Sequence, residues 1–202
     1  MVLRWRLLHR SQESLAEKDY EPYNSQMRWL PAFLLGCISL APSTARAADP
    51  LSRTLRESYK GLKMFLVYSG DAMPEEYYSF KFAPTWRTFS DYLVHVAEAN
   101  YISCSTLRMV AQPKVELSGT MSKSELMKWL KDSFDFCDPA FANATDAKLL
   151  TQITSGERTL YPVEEMIALT NSLSEHYGNV ACYMRIKGVT PPSTLRTQRI
   201  MK

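Results

Sequence analysis

The chain has 202 residues, of which 46% are hydrophobic and 22% are charged, a composition that is ordinary for one globular domain. It contains only 7 glycines, which argues against a fold built from many short strands and tight turns. The formal net charge is +3 and the basic residues are scattered along the chain. No basic arm or patch therefore points to nucleic acid as a partner.

The N-terminal part of the chain has the features of an export signal. Residues 27–47 comprise a basic start, the apolar stretch WLPAFLLGCISL and small residues that end at Ala47. This order predicts a signal peptide cleaved after Ala47, and the apolar stretch is too short to span a bilayer as a helix. Residues 1–26 are polar and lack apolar periodicity, so we interpret them as a non-structural extension that precedes the true start at Met27.

The signal predicts that the mature protein is periplasmic or secreted, with no transmembrane span. An alternative is a lipoprotein, because residues 34–37 (LLGC) resemble a lipobox in which Cys37 is lipidated. In either case Cys104, Cys137 and Cys182 lie in a compartment where disulfides persist. Cys104 and Cys137 fall late on two successive predicted helices, which favours their pairing. Three buried free thiols are the competing interpretation, and spacing alone does not decide between them.

Two helices and a long connection are predicted in the first half of the mature chain. Asp49 and Pro50 form an N-cap and a first helical position, and apolar residues then recur at helical spacing to about Tyr68. Residues 70–86 carry two prolines and are predicted to be an ordered connection rather than a helix. Helix two begins at Thr88 with a capping-box arrangement and runs toward Leu107.

Two further helices are predicted in the second half. Ser122 with Glu125 forms the capping box of helix three, and Pro139 is expected to kink or end it. A short extra helix is expected at residues 148–153. Helix four starts near Pro162, carries the clearest apolar stripe and stops at Gly188. No stretch alternates as a strand, so an all-α bundle of four helices is predicted.

The only histidines after residue 47 are His95 and His176, which we regard as the candidate site. His176 takes a position in the apolar stripe of helix four where leucine is expected, and a buried imidazole needs a hydrogen-bond partner or a metal. His95 lies on helix two with Glu98 one turn later. If both helices turn these faces inward, the imidazoles meet in the core. Hydroxyls, backbone or water could satisfy them as well as a metal could.

Six short segments in three regions of the chain resemble the DinB superfamily. MPEEYYSFK and PTWRTF lead into helix two, HVAEAN lies within it, and EHYGN, YMR and GVTPPS lie in the last helix and the residues after it. The resemblance implies a DinB-like four-helix bundle over residues 48–193, followed by a tail at 194–202. It also implies a divalent metal (zinc, nickel, iron or manganese) held by three histidines, two of which lie four residues apart on the last helix.

This chain departs from that pattern at one position. His95 and His176 match the first and last metal ligands, but Ser172 stands where the third histidine is expected. A neutral serine hydroxyl is a poor ligand, so the metal site is interpreted as degenerate, with Glu98 as an auxiliary donor. Asn171 lies one residue out of register.

Two functions follow from these residues. One is a metal-dependent hydrolase or thiol transferase, as the resemblance implies, with Glu98 polarising water. The other, favoured because of Ser172, is a non-catalytic bundle that binds a small-molecule ligand or a partner. A Cys–His nucleophile is not expected, because Cys182 points to a different face of its helix from His176. The sequence does not indicate the oligomeric state, and a homodimer stays open.

Overall fold

The structure is a computed structural model that describes residues 49–200. Six α-helices, a short 3-10 helix and a two-stranded hairpin lie in this part of the chain. The helices are α1 (Pro50–Ala72), α2 (Phe89–Arg108), α3 (Lys123–Ala142), α4 (Asp146–Leu149), α5 (Pro162–Ile186) and α6 (Pro192–Ile200). The 3-10 helix covers Glu75–Tyr77, and the strands are β1 (Ile153–Ser155) and β2 (Arg158–Leu160). The predicted signal peptide, the extension that precedes it and Cys37 lie outside the described residues.

Local sequence signals set the starts of the long helices. The Thr88 hydroxyl accepts a hydrogen bond from the Asp91 amide, and the Asp91 carboxylate accepts one from the Thr88 amide, so the predicted capping box of α2 is confirmed. Ser122 and Glu125 form the equivalent box at α3. Each box satisfies backbone N–H groups that the first helical turn leaves unpaired. These caps explain why the starts of both helices were predictable from sequence.

The four long helices form a ring in which each helix packs against two others. α2 contacts α3 and α5, and α1 completes the ring by contacting α5 and α3. The apolar stripe of α5, which is the predicted helix four, faces the centre of the bundle. Its residues Leu169, Leu173 and Val180 are almost fully buried there. This arrangement confirms the predicted all-α four-helix bundle. It also places the α2–α5 seam opposite the α1–α3 seam.

The structure corrects the prediction between α3 and α5. The expected short helix at residues 148–153 is displaced to Asp146–Leu149, and Ile153 instead begins an antiparallel hairpin that pairs Ser155 with Arg158. Gly156 has a φ of 61° at the first position of the two-residue turn, a conformation that glycine adopts without strain. Strands of three residues are too short to give a detectable alternation, which is why this hairpin was missed.

Three boundaries also differ from the prediction. Helix α1 continues to Ala72 rather than stopping near Tyr68, so the connection begins later and includes a 3-10 turn. Pro139 does not end α3, which continues to Ala142, because a proline in the last turn removes few helical hydrogen bonds. The segment interpreted as a tail is itself helical from Pro192. No helix within residues 49–200 combines the length and hydrophobicity needed to cross a membrane.

Candidate functional site

The two candidate histidines meet at the seam between α2 and α5. Their ring centroids are 4.8 Å apart and the ring planes are 26° from parallel, so the imidazoles are stacked. The structure thus places the two imidazoles side by side, as expected if both helices turn these faces toward each other. They do not meet in the core, because the side chain of His95 is 40% exposed. The two residues are 81 positions apart in the sequence, and only the packing of α2 against α5 joins them.

The environment of His176 differs from that of an ordinary core residue. Only 6% of His176 is exposed, and neither of its ring nitrogens has a hydrogen-bond partner among the described protein atoms. Burial lowers the pKa of the His176 imidazole from its ordinary value, and nearby His95 and Arg87 lower it further, while Glu175 opposes them. The ring is therefore neutral at pH 7 and offers one N–H donor and one acceptor to a ligand.

His95 connects the buried ring to the protein surface. Its side chain is 40% exposed, and its Nδ1 atom lies 3.5 Å from a carboxylate oxygen of Glu98 one turn later on α2. That carboxylate is itself 46% exposed, so both groups are accessible to solvent. Because His95 stacks on His176 and is partly exposed, the pair extends from a buried position to the protein surface.

An aromatic cluster completes the inner wall of the site. The Tyr92 ring stands edge-on to His176 with the centroids 6.0 Å apart, and it also contacts Tyr183 at 5.6 Å. Tyr183 donates a hydrogen bond of 2.6 Å to the carbonyl oxygen of Arg87, which ties α5 to the connection before α2. Sequence analysis did not assign Tyr92 to the site. Its position three residues before His95, on the same helical face, was the available signal.

The donors near the pair do not form a three-ligand metal site. Within residues 49–200 no group of three or more histidine, cysteine or acidic side chains could hold a metal ion. Ser172 is half-buried and supplies only a hydroxyl. Imidazole lone pairs lie in the ring plane, so two stacked rings share one ion only if one of them rotates. These residues do not fit a three-ligand site as arranged, and a bound metal stays a prediction.

The cysteines fall into two groups. Cys104 on α2 and Cys137 on α3 are joined by a disulfide, with their Cα atoms 5.2 Å apart, so the favoured pairing is confirmed. The competing interpretation of three buried free thiols is wrong for this pair. Cys182 is free and exposed, whereas His176 is buried, in agreement with the expectation that they lie on different faces of α5.

Comparison with known proteins identifies the fold. A DinB-like protein from Bacillus cereus has a solved structure that superposes with a TM-score of 0.58, covering 69% of this chain and 95% of that chain. The two sequences are 19% identical, so the similarity shows a DinB-like fold alone. No protein-family model matches the sequence, and no curated protein matches it significantly.

Proposed function

We propose that this protein is an exported, non-catalytic DinB-like bundle that binds a small polar ligand at the His95–His176 pair. The observation that supports this most directly is the buried imidazole of His176, whose two nitrogens lack protein partners. A buried polar group without hydrogen bonds costs about 1–3 kcal/mol, and such a cost is commonly retained where a site serves binding. A ligand that hydrogen-bonds this ring recovers that energy.

The chemistry of the pair defines the class of ligand. The imidazoles of His95 and His176 present nitrogen donors and acceptors side by side, which suits a carboxylate, an amide or another group of mixed polarity. Arg87 lies close enough to lower the pKa of His176, so the site has a positive neighbour as well as the acidic Glu175. The aromatic edge of Tyr92 gives an apolar wall. These features favour a small polar molecule with an apolar part.

A metal-dependent hydrolase or thiol transferase is the second candidate. It is favoured by the same unpartnered nitrogens and by the Glu98 carboxylate beside His95, a donor that could assist a bound ion. The serine at position 172 argues against it, because the two imidazoles then lack the third ligand that open catalytic metal sites retain. An enzyme of this kind would therefore depend on an ion held by an incomplete set of donors.

The proposal also includes export from the cytoplasm. The signal-like residues 27–47 motivate it, and the disulfide between Cys104 and Cys137 is compatible with an oxidising compartment. Expression of the full chain in a bacterium, followed by intact-mass analysis of the periplasmic fraction, tests it. We expect a mature chain that begins at Ala48 with the disulfide formed. A membrane-bound product with a lipid on Cys37 supports the alternative, and an uncleaved cytoplasmic chain contradicts export.

Binding at the histidine pair is tested by thermal shift of the purified protein. The probes are acetate, succinate, acetamide and imidazole, with chlorides of zinc, nickel, iron and manganese as a separate arm. A ligand present at about 100 times its Kd stabilises the native state by about 2.7 kcal/mol, a shift that is readily measured. The variant His176→Leu should abolish the response, whereas the control Cys182→Ser, exposed on the same helix, should keep it.

The outcomes separate the two candidates. A response to an organic probe that requires His176 supports the binding function. A response to metal ions alone, together with a hydrolase or transferase activity that His176→Leu abolishes, contradicts it and supports the enzyme. If neither arm shifts the melting temperature of the native protein, the histidine pair is not a binding site for these classes.

A further inference from the structure

An open groove lies along the seam between α1 and α3, on the opposite side of the bundle from the histidine pair. Its volume is about 700 Å³, within the range of sites that take small molecules. We call it the α1–α3 groove, and define it by the side chains of α1 from Arg56 to Asp71 together with Asp138, Phe141 and Ala142 of α3. α1 and α3 pack against each other less extensively than the other adjacent pairs of long helices do.

The floor and one wall of the groove are apolar. The rings of Tyr59 and Phe141 stack at a centroid distance of 4.0 Å and form the buried floor. Met64 is 54% exposed and Tyr68 is 42% exposed, and both stand on the wall. A group of exposed, large apolar side chains commonly marks a binding surface, whereas a single exposed apolar side chain does not.

The charges of the groove are distributed unevenly along α1. Arg56, Lys60, Met64 and Tyr68 are spaced four residues apart, so they form one row along the helix. The row is basic at its N-terminal end and apolar at its C-terminal end. Arg56 and Tyr68 are separated by about 18 Å along the axis at a rise of about 1.5 Å per residue. This length suits a ligand that has an extended alkyl chain and one charged end.

The acidic residues of the groove are already neutralised. Lys63 lies 2.8 Å from Asp138, which also accepts a hydrogen bond from Tyr59, and Asp71 lies 3.1 Å from Lys131. Burial lowers the pKa of Lys63, but its hydrogen bonds to Asp138 and a neighbouring aspartate outweigh burial and raise it, so the lysine stays charged. An incoming ligand therefore meets no unpaired carboxylate at this position.

The basic end of the row carries two positive charges that are available to a ligand. The guanidinium of Arg56 donates to the carbonyl oxygens of Phe141 and Ala144 at the C-terminal end of α3, and it forms no ion pair within residues 49–200. Those two bonds hold its planar group in place while leaving part of its donor capacity unused. Lys60 adds a second cation, paired only with exposed Glu57. The complementary head group is an anion.

We infer that the α1–α3 groove binds a free amphiphile with a single carboxylate head and a medium-length alkyl chain. The head lies between Arg56 and Lys60, and the chain runs along Met64 and Tyr68 over the stacked floor. This site is distinct from the histidine pair, so it holds or fails independently of the proposed function.

Titration calorimetry with dodecanoate below its critical micelle concentration tests the inference. Dodecyltrimethylammonium, which has an alkyl chain of the same length and a head group of opposite charge, is the control ligand. We expect one dodecanoate per chain and weaker binding of the cation. Met64→Glu should weaken dodecanoate binding about tenfold, because it places a like charge in the apolar part of the groove. Ile102→Glu, at a residue of similar exposure on α2, should leave it unchanged.

The charge at the head is tested separately. Lys60→Glu should weaken dodecanoate binding about three- to fivefold and strengthen binding of the cation, as expected for one exposed charge. Lys128→Glu is the control, because Lys128 has a similar exposure and a similar helical ion pair but lies outside the groove. Circular dichroism and melting curves establish that each variant is folded.

Several results overturn the inference. Equal binding of the two amphiphiles, or equal effects of Met64→Glu and Ile102→Glu, shows that the groove does not select a carboxylate amphiphile. Binding to phosphatidylglycerol vesicles without binding of free dodecanoate indicates a membrane surface instead. A stable dimer in light scattering that Met64→Glu dissociates shows that a second copy of the chain covers the groove.

Discussion

Replacement of His176 by leucine tests the central feature of the site, a buried imidazole without protein partners. The surrounding stripe of α5 is apolar, so leucine fits its chemistry and comes close to its size. Removing the unpartnered ring nitrogens recovers about 1–3 kcal/mol. Losing the ring contacts with His95 and Tyr92 costs about 0.5–1.5 kcal/mol. We therefore expect His176→Leu to raise the free energy of unfolding by about 1 kcal/mol at pH 8.

The pH dependence gives this prediction a second readout. The pKa of His176 is lowered in the native state, so below the unfolded-state value of about 6.5 the unfolded chain binds a proton that the native chain does not. Native stability therefore falls as the pH drops through this window toward the lowered native pKa. Leucine does not titrate, so the advantage of His176→Leu should increase between pH 7 and pH 5.

Urea denaturation at pH 8, 7, 6 and 5 measures both effects, and about 1 kcal/mol corresponds to about 2–4 °C in melting temperature for a domain of this size. His95→Leu is the control, because that ring is half-exposed and its replacement should change stability by less than about 0.5 kcal/mol. A His176→Leu protein that is less stable than the native protein at every pH refutes the reasoning. That result means that the imidazole is satisfied by bound water or another partner.

Three further predictions concern the metal, the disulfide and the bundle core. Ser172→His should raise zinc or nickel affinity by about tenfold or more in titration calorimetry if positions 172 and 176 face one point, and unchanged affinity contradicts that geometry. Cys104→Ser should lower the free energy of unfolding by about 3–4 kcal/mol, because the bond to Cys137 closes a segment of 33 residues; a loss below 1 kcal/mol contradicts this. Tyr59→Phe should cost about 1–2 kcal/mol, because its buried hydroxyl contacts a carbonyl and a carboxylate, and an unchanged urea midpoint refutes it.

The signals read correctly from sequence are those that act over a few residues. The capping boxes at Thr88 and Ser122 each involve a residue and its neighbour three positions later, so the pattern is complete within one helical turn. The glycine stop at Gly188 is equally local, since its φ of 71° is a conformation that other residues rarely adopt. Periodicity then assigned the inward face of α5.

The cap of α1 shows where local reasoning fails. Asp49 occupies the predicted N-cap position, but its side chain does not cap its own helix. Its carboxylate instead accepts a hydrogen bond from the amide of Asp146, and the Asp146 carboxylate accepts bonds from the amides of Leu51 and Ser52. The helix start is therefore stabilised by a residue almost a hundred positions away, which no local pattern reveals.

The four long helices, the inward face of α5 and the two histidines could be identified from the sequence, because helix formation and amphipathicity depend on residues within a few turns of each other. Tertiary structure alone decided that the two imidazoles stack, that His176 has no hydrogen-bond partner among the described residues, and that an apolar groove with a basic end opens between α1 and α3. These properties depend on the relative rotation and separation of helices that are distant in the chain. Side-chain packing across whole seams sets those quantities, and no short segment encodes them.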